Sequence, residues 1–140
     1  MAVSHASRRI AFEPILQLVR RVCRGEQTSI QALSIVFADH AGVVGLNERH
    51  LGRSYVTDVI AFDLRDSTTD KVVDGEIYVD LDTAAERAPE FGTSYTMEVL
   101  RYTVHGLLHL MGYDDRTEAG KTEMRRLEDR YLTAQAGAHR

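Results

Sequence analysis

Two histidines and a nearby aspartate have the residue types and the spacing of a metal site. His105 and His109 are four residues apart. On a helix, residues four apart face the same way with Cβ atoms about 5 to 6 Å apart, so both imidazoles can reach one ion. A glycine at position 112 can adopt a left-handed conformation and end that helix. The chain would then fold back, so that Asp115, or less favourably Asp114, supplies a third ligand.

The same string shares the frame of a zinc-protease motif, H-E-x-x-H-x-x-G-x-x-H, but it lacks the protease base. Gly106 stands where those enzymes carry the glutamate that accepts a proton. A metallopeptidase would therefore need a carboxylate from elsewhere, such as Glu98 or Glu118. Two histidines alone would suit a helix core equally well, whereas the added glycine and aspartate favour a metal site.

The string at 105–115 resembles the signature of the YbeY family of bacterial endoribonucleases, H-G-x-L-H-L-x-G-Y-D-H, and it agrees at every fixed position except the last. Two upstream stretches resemble the family as well. They are Leu46-Asn47 followed by the strand at 57–62, and the strand at 75–79. The order and spacing of three separate motifs, spread over about residues 46–131, make the resemblance specific.

The resemblance implies a single metallohydrolase domain over residues 1–140 that binds one Zn²⁺ and cuts single-stranded RNA. It implies a role in ribosomal RNA maturation, at the 3′ end of 16S rRNA, and in ribosome quality control. The implied partners are single-stranded and ribosomal RNA and the small ribosomal subunit with its assembly factors. Asn47, Thr57 and Asp58 match the family's pattern and, with Arg49, are candidate substrate-binding residues. A cap or turn role suits each of the first three equally well. The family's arginine is replaced by Leu51, and Arg53 is the nearest candidate to take over its role.

The chemistry follows from three protein ligands, which leave a fourth position for water. Zinc lowers the pKa of such a water from about 15.7 toward about 7 and polarises a phosphoryl oxygen. His105 is then both ligand and catalytic residue, and Arg53 or Arg49 would stabilise negative charge on the phosphorus oxygens. Two histidines and an aspartate also suit iron, nickel or manganese. A ribosome-assembly factor with a closed, structural metal site is the alternative from another functional class.

Composition sets the limits of this interpretation. A chain of 140 residues with 44% hydrophobic content is typical of one domain. No apolar run approaches the roughly 18 residues of a membrane helix, and the N-terminus lacks the apolar core of a signal peptide, so we expect a cytoplasmic protein without membrane contact.

A net charge of -4 gives no general attraction for RNA. Contact would need local basic clusters, such as Lys121 with Arg125, Arg126 and Arg130, for which a solvated helix face is the ordinary role.

The hydrophobic pattern predicts alternating helices and strands. Helices are expected at 14–25, 43–51, 81–90, 95–111 and after Thr117, and strands at 33–37, 58–64 and 75–80, with a fourth possible within 3–12. The helix at 95–111 is apolar on most sides and carries both histidines. These elements predict an α/β or α+β fold. The resemblance selects a mixed four-stranded sheet with a zincin-like metal helix in the core.

The remaining polar residues are given ordinary roles. His5, His40, His50 and His139 match nothing in the metal frame. The acidic residues around the third predicted strand, namely Asp74, Glu76, Asp80 and Asp82, are expected to be solvated. Tyr113 could stack on a base or pack against the turn. Cys23 lies in a helical apolar pattern, which predicts core packing.

Overall fold

The chain folds as four strands and five helices over residues 1–51, 58–67 and 69–138, which the computed structural model describes. The elements, in chain order, are β1 (Ala2–Ser4), α1 (Phe12–Gly25), β2 (Ser29–Ala38), α2 (His40–Leu51), β3 (Val59–Asp63), β4 (Val72–Asp80), α3 (Leu81–Arg87), α4 (Tyr95–Leu110) and α5 (Glu118–Ala138). The predicted mixed sheet with about five helices is confirmed.

The sheet has the strand order β1-β2-β4-β3. β1, β2 and β4 run parallel, and β3 closes one edge antiparallel to β4. Alternate residues of β4 are buried, namely Val73, Gly75, Ile77 and Val79. This period of two is typical of a strand with one face turned toward a core.

The histidine-bearing helix α4 lies against β3 and β4 and also contacts α1, α3 and α5. Its start is capped by Ser94, whose hydroxyl accepts a hydrogen bond from the backbone N–H of Met97 at 3.1 Å. The helix is buried on most sides through Val99, Leu100, Val104, Leu107, Leu108 and Leu110. The prediction of a histidine-bearing helix in the core is therefore confirmed.

Close contact between α4 and the sheet occurs at Gly106. A Cβ atom at this position would lie 2.8 Å from Cγ2 of Ile77 and 3.2 Å from Cγ2 of Val59. Both partners are strand side chains in the core, so there is little room for a larger residue. The position that carries the catalytic glutamate in zinc proteases thus faces the sheet in this protein.

The first strand is shorter than the segment predicted for it. Beyond Ser4 the backbone N–H groups of Ser7 and Arg8 both donate to Nδ1 of His5, at 3.1 and 3.0 Å. These bonds fold the chain into a turn and take it away from the sheet. Likewise α3 ends at Arg87 and not near residue 90. Ala88 still has helical backbone angles, but Pro89 has no backbone N–H with which to continue the helical hydrogen bonds.

The expectation of a solvated Asp80 was wrong. Its side chain is fully buried at the end of β4. Its Oδ1 accepts from the backbone N–H of Thr83 at 2.8 Å, and its Oδ2 accepts from the Thr83 hydroxyl at 2.8 Å and from Nδ1 of His40 at 2.7 Å. A buried carboxylate needs such donors, and it caps α3 from the strand that precedes that helix.

Within the described ranges, none of the helices combines the length and the apolar character that a bilayer crossing requires.

Gly106→Ala is expected to lower the free energy of unfolding by about 1 to 2 kcal/mol, because overpacking against Ile77 and Val59 exceeds the gain of about 1 kcal/mol in helix propensity. Gly45→Ala is the matched control. The atoms nearest to its added Cβ would be those of the Arg49 guanidinium, at 3.5 to 3.8 Å, which are ordinary contacts. Stability should therefore stay level or rise by up to about 1 kcal/mol. Urea unfolding of both variants measures the difference, and equal effects would contradict the close packing.

Candidate metal centre

Three side-chain atoms converge beyond the last turn of α4. Nε2 of His105 lies 3.1 Å from Nε2 of His109 and 3.3 Å from Oδ2 of Asp115. The remaining distance, from Nε2 of His109 to Oδ2 of Asp115, is 3.7 Å. Within the described part of the chain, this is the His/Cys/Asp/Glu group whose geometry could hold a metal ion.

The spacing of the three atoms matches a tetrahedral ion. Metal–ligand bonds of about 2.0 to 2.1 Å in a tetrahedron separate neighbouring ligand atoms by about 3.3 to 3.4 Å. The observed separations of 3.1, 3.3 and 3.7 Å bracket this value. Two imidazole nitrogens with one carboxylate oxygen also form a donor set that zinc and several other divalent metals accept. The residues therefore fit a metal.

A glycine-dependent turn brings Asp115 back to the histidines. The backbone N–H of Tyr113 donates to the carbonyl of Leu108 at 3.1 Å, and that of Gly112 donates to the carbonyl of His109 at 3.0 Å. This pair of bonds is the Schellman arrangement that ends many helices. Gly112 has φ +100°, a conformation that side chains disfavour. The predicted left-handed glycine is confirmed.

The turn is held in place by Glu26 from the end of α1. Its Oε1 accepts a hydrogen bond from the Tyr113 hydroxyl at 2.5 Å, and its Oε2 accepts one from the Tyr131 hydroxyl of α5. The hydrogen bond to Glu26, together with burial, raises the pKa of Tyr113 to about 12, so the hydroxyl keeps its proton at neutral pH. Of the two interpretations of Tyr113, packing against the turn is the one that the structure shows.

Contacts with α5 and Arg116 separate the roles of the two adjacent aspartates. A Cβ on Gly120 would lie 2.1 Å from the carbonyl oxygen of Asp114, so only a glycine lets α5 approach the turn this closely. The Asp114 carboxylate accepts from the backbone N–H and from Nε of Arg116, at 2.6 and 2.7 Å. Asp114 is thus engaged elsewhere, and Asp115 is the carboxylate that faces the histidines.

The two imidazoles have opposite pKa shifts. Burial acts to lower the pKa of His105, but the hydrogen bond and charge of Glu128 outweigh it, and the net pKa is raised. Burial lowers the pKa of His109, and the neighbouring charge of His105 lowers it further. Protons therefore compete with a cation more strongly at His105 than at His109.

A cavity of about 610 Å³ opens beside this group, with His105 and Asp115 in its wall. α4, α5 and the segment before α4 line it, and Phe91, 66% exposed, stands at its side. The lining carries charges of both signs, namely Arg87, Arg101, Lys121 and Arg125 with Asp58, Glu98, Asp115, Glu128 and Asp129. The volume falls within the range of roughly 300 to 1,000 Å³ typical of ligand sites.

The predicted substrate-binding residues are placed differently from one another. Asp58 lines the cavity, where its carboxylate lies 3.8 Å from Nη1 of Arg87. Asn47 is buried in α2, and Arg49 is exposed on the same helix. Neither of these two is part of the cavity lining. Arg53 and Thr57 lie outside the described residues, so their roles stay predictions.

The histidines outside the motif, where described, have other partners. Nε2 of His5 lies 2.7 Å from Oδ1 of Asp82, and His40 bonds to Asp80 as described above. His139 and the side chain of His50 lie outside the description. Cys23 is buried in the core, as predicted.

Sequence reasoning missed Glu128 and Arg101. Glu128 is only 8% exposed and bonds to the ring of His105, yet it is 23 residues away along the chain. The one local indication that Glu128 is buried is its place beside the apolar Leu127 on α5. A charged residue that is buried there needs a partner.

Similarity to known proteins identifies the family of this chain. The family model described as endoribonuclease YbeY matches residues 2–136. The chain belongs to the endoribonuclease YbeY family. An endoribonuclease YbeY from Salinibacter ruber is 46% identical over 136 residues, covering 93% of this chain and 87% of that protein. The family member from Chloroherpeton thalassium is 35% identical over 122 residues, covering 87% and 84%.

A solved structure supports the fold. The solution structure of a Thermotoga maritima protein superposes with a TM-score of 0.68 and covers 99% of this chain and 91% of that one. At 24% sequence identity this likeness concerns the fold alone. The assignment of the motif at 105–115 to the YbeY family therefore rests on the family model and the sequence relatives. The role of Asp115 at its last position rests on the distances to the two histidines.

Asp115→Asn is expected to weaken zinc binding by more than the roughly 10- to 100-fold that loss of an outer partner costs, because a charged ligand is removed. Asp114→Asn is the matched control and should bind zinc nearly as wild type does, since its carboxylate is engaged by Arg116. Competition with a chromophoric chelator measures both affinities. A greater loss in Asp114→Asn than in Asp115→Asn would show that the wrong carboxylate has been assigned.

Proposed function

We propose that this chain is a metal-dependent endoribonuclease that cuts single-stranded ribosomal RNA, with His105, His109 and Asp115 as the ligands of one Zn²⁺. The observation that carries the proposal is the convergence of the three ligand atoms, 3.1 to 3.7 Å apart, at the wall of a cavity of about 610 Å³. The finer role we assign is maturation of the 3′ end of 16S rRNA and ribosome quality control, in contact with the small subunit and its assembly factors.

A cation held by His105, His109 and Asp115 would supply Lewis acidity toward a phosphoryl oxygen and would lower the pKa of water toward about 7. The protein's part is to hold the ligands in place and to leave one side open. His105 and Asp115 form part of the cavity wall, so substrate can approach them from the cavity. Gly106 faces Ile77 in the sheet, which leaves the site without the glutamate base of zinc proteases.

Arg125 is our candidate for contact with the RNA backbone on this side of the site. Most cations of the cavity wall already face carboxylates: Arg101 lies 3.2 Å from Glu128, and Arg87 lies 3.8 Å from Asp58. Arg125 is exposed, lines the cavity and has no carboxylate partner within the described ranges. An unpaired guanidinium suits bidentate contact with a phosphate.

Phe91 adds a surface for a base. Its ring is two-thirds exposed at the side of the same cavity. An exposed aromatic ring on the same cavity as an exposed cation such as Arg125 suits sequence-tolerant binding of single strands, because every base has a face that can stack. We therefore place the RNA strand across α5 on the Phe91 side of the metal ligands.

A ribosome-assembly factor with a structural metal is the second candidate. It predicts a closed coordination sphere, which the cavity beside His105 and Asp115 disfavours. A metallopeptidase is disfavoured further. Two carboxylates were considered for a peptidase base, Glu98 and Glu118. Glu118 is exposed, lies 3.6 Å from Lys121 and is not part of the cavity lining. Glu98 does line the cavity.

His109→Ala is expected to lose both bound zinc and cleavage of single-stranded RNA, because it removes one of three ligands. Bound metal is counted by elemental analysis, and cleavage is followed on a labelled single strand beside a duplex of the same sequence. Asp114→Asn serves as the control that should keep both properties. Wild type that holds about one metal per chain and cuts nothing, with partner proteins present, would favour the assembly factor.

Arg125→Ala is expected to weaken RNA binding and to reduce the slope of log affinity against log salt by about 0.7, the value for loss of one phosphate contact on a single strand. Arg126→Ala is the matched control, because Arg126 is also exposed on α5 but its guanidinium pairs with Glu123 at 2.7 Å. Fluorescence anisotropy with a 2′-O-methyl strand, which resists cleavage, gives both slopes. Equal slopes for the two variants would remove Arg125 from the interface.

A further inference from the structure

Glu128 is a buried acidic residue whose carboxylate ends against the candidate metal centre. Its Oε2 lies 2.8 Å from Nδ1 of His105, and its Oε1 accepts a hydrogen bond from Nη1 of Arg101 at 3.2 Å. The residue is only 8% exposed. Both of its oxygens are therefore engaged, one by a metal-ligand residue and one by a cation of the cavity wall.

The contact with His105 determines which nitrogen of that ring is free. An ionised carboxylate only accepts hydrogen bonds, so the Nδ1 atom beside Glu128 must carry the proton. In a neutral imidazole the other nitrogen then has the lone pair. That other nitrogen is Nε2, the atom that lies 3.1 Å from His109 and 3.3 Å from Asp115. Glu128 thus selects the tautomer that can bind a cation.

Arg101 compensates the burial of this carboxylate. A buried charge is tolerated when it is paired and hydrogen-bonded. Arg101 also donates to Asp129 through Nη2 at 2.9 Å, and the Asp129 side chain is 58% exposed. The two adjacent acids of α5 therefore share one guanidinium, but of the two it is Glu128 that bonds to the histidine ring.

His109 has a different support. Besides the contact of its Nε2 with Nε2 of His105, its ring bonds to the backbone of Tyr113, in the turn that follows α4. A backbone contact is kept in every variant that preserves the turn, whereas the contact to His105 depends on one side chain from another helix. Substitution of Glu128 therefore removes the support of one ring directly and leaves the backbone support of the other in place.

We propose that Glu128 is the positioning residue of the metal site, holding His105 in the Nδ1–H tautomer and in the ring orientation that directs Nε2 at the cation. Such carboxylate–histidine–metal arrangements orient the ligand and raise its basicity. The inference rests on the proposed metal site formed by His105, His109 and Asp115. It assigns to α5 a part in metal binding that the 105–115 motif does not contain.

The test uses the whole chain and Zn²⁺ alone, with affinity measured by chelator competition. Glu128→Ala should weaken zinc binding by about 10- to 100-fold. Glu128→Gln keeps the size and one acceptor oxygen, so its loss should be smaller. Asp129→Ala is the matched control, because it removes the neighbouring contact of Arg101 but none of His105. Its zinc affinity should stay within about twofold of wild type, as for other exposed ion pairs.

A second readout reports the tautomer directly. Long-range ¹H–¹⁵N correlation spectra of the zinc-free protein at mildly alkaline pH distinguish Nδ1–H from Nε2–H for each ring. We expect His105 to be in the Nδ1–H form in wild type and in Asp129→Ala, and to lose that preference in Glu128→Ala. The backbone contact of His109 is kept in all three, so the change should be centred on His105. If Glu128→Ala does not fold, Glu128→Gln decides with the same two readouts.

The outcomes separate the two proposals. Unchanged zinc affinity and an unchanged His105 tautomer in the folded Glu128 variants would overturn the positioning role, while loss of zinc in His109→Ala would still support the metal site. An equal loss of affinity in Asp129→Ala would overturn it too, since the effect would then come from Arg101. Absence of zinc binding in wild type would overturn both.

Discussion

The close packing of α4 on the sheet is the constraint on which the rest of the structure depends. Gly106 on the helix faces Ile77, and Gly75 on β4 faces Leu110, where an added Cβ would lie 2.8 Å from a methyl group of the leucine. A glycine on each surface lets the helix lie against the strands. With that face committed to the core, the ring of His105 turns to the other side, toward α5 and the cavity.

The metal motif was predictable because it is local. His105, His109, Gly112 and Asp115 act through helical periodicity and one turn, and both can be read from spacing. The elements themselves followed from hydrophobic patterns, and errors of extent arose where side chains override pattern, as at the turn around His5. Asp80 was misplaced because a carboxylate looks solvated in sequence, and only the folded chain brings His40 to it.

The supporting residues could not be predicted for the opposite reason. Glu128 is 23 residues from His105, and Glu26 is 87 residues from Tyr113. No periodicity relates such pairs, since they are made by the docking of α5 and α1 on α4. The net charge of -4 was equally uninformative about RNA. In the cavity wall, carboxylates pair with Arg101 and Arg87, while Arg125 has no such partner among the residues that the structure describes.

Glu26 joins three distant parts of the chain. It lies at the end of α1 and accepts hydrogen bonds from the hydroxyl of Tyr113, in the turn after α4, and from that of Tyr131 in α5. The consequence concerns synthesis of the protein. Domains fold as their segments leave the ribosome, N-terminal parts first. A nascent chain that has exposed α4 but not yet Tyr131 lacks one of the two hydroxyls that bond to Glu26. The hydrogen-bonded link among α1, the turn after α4 and α5 is thus completed only when α5 has emerged.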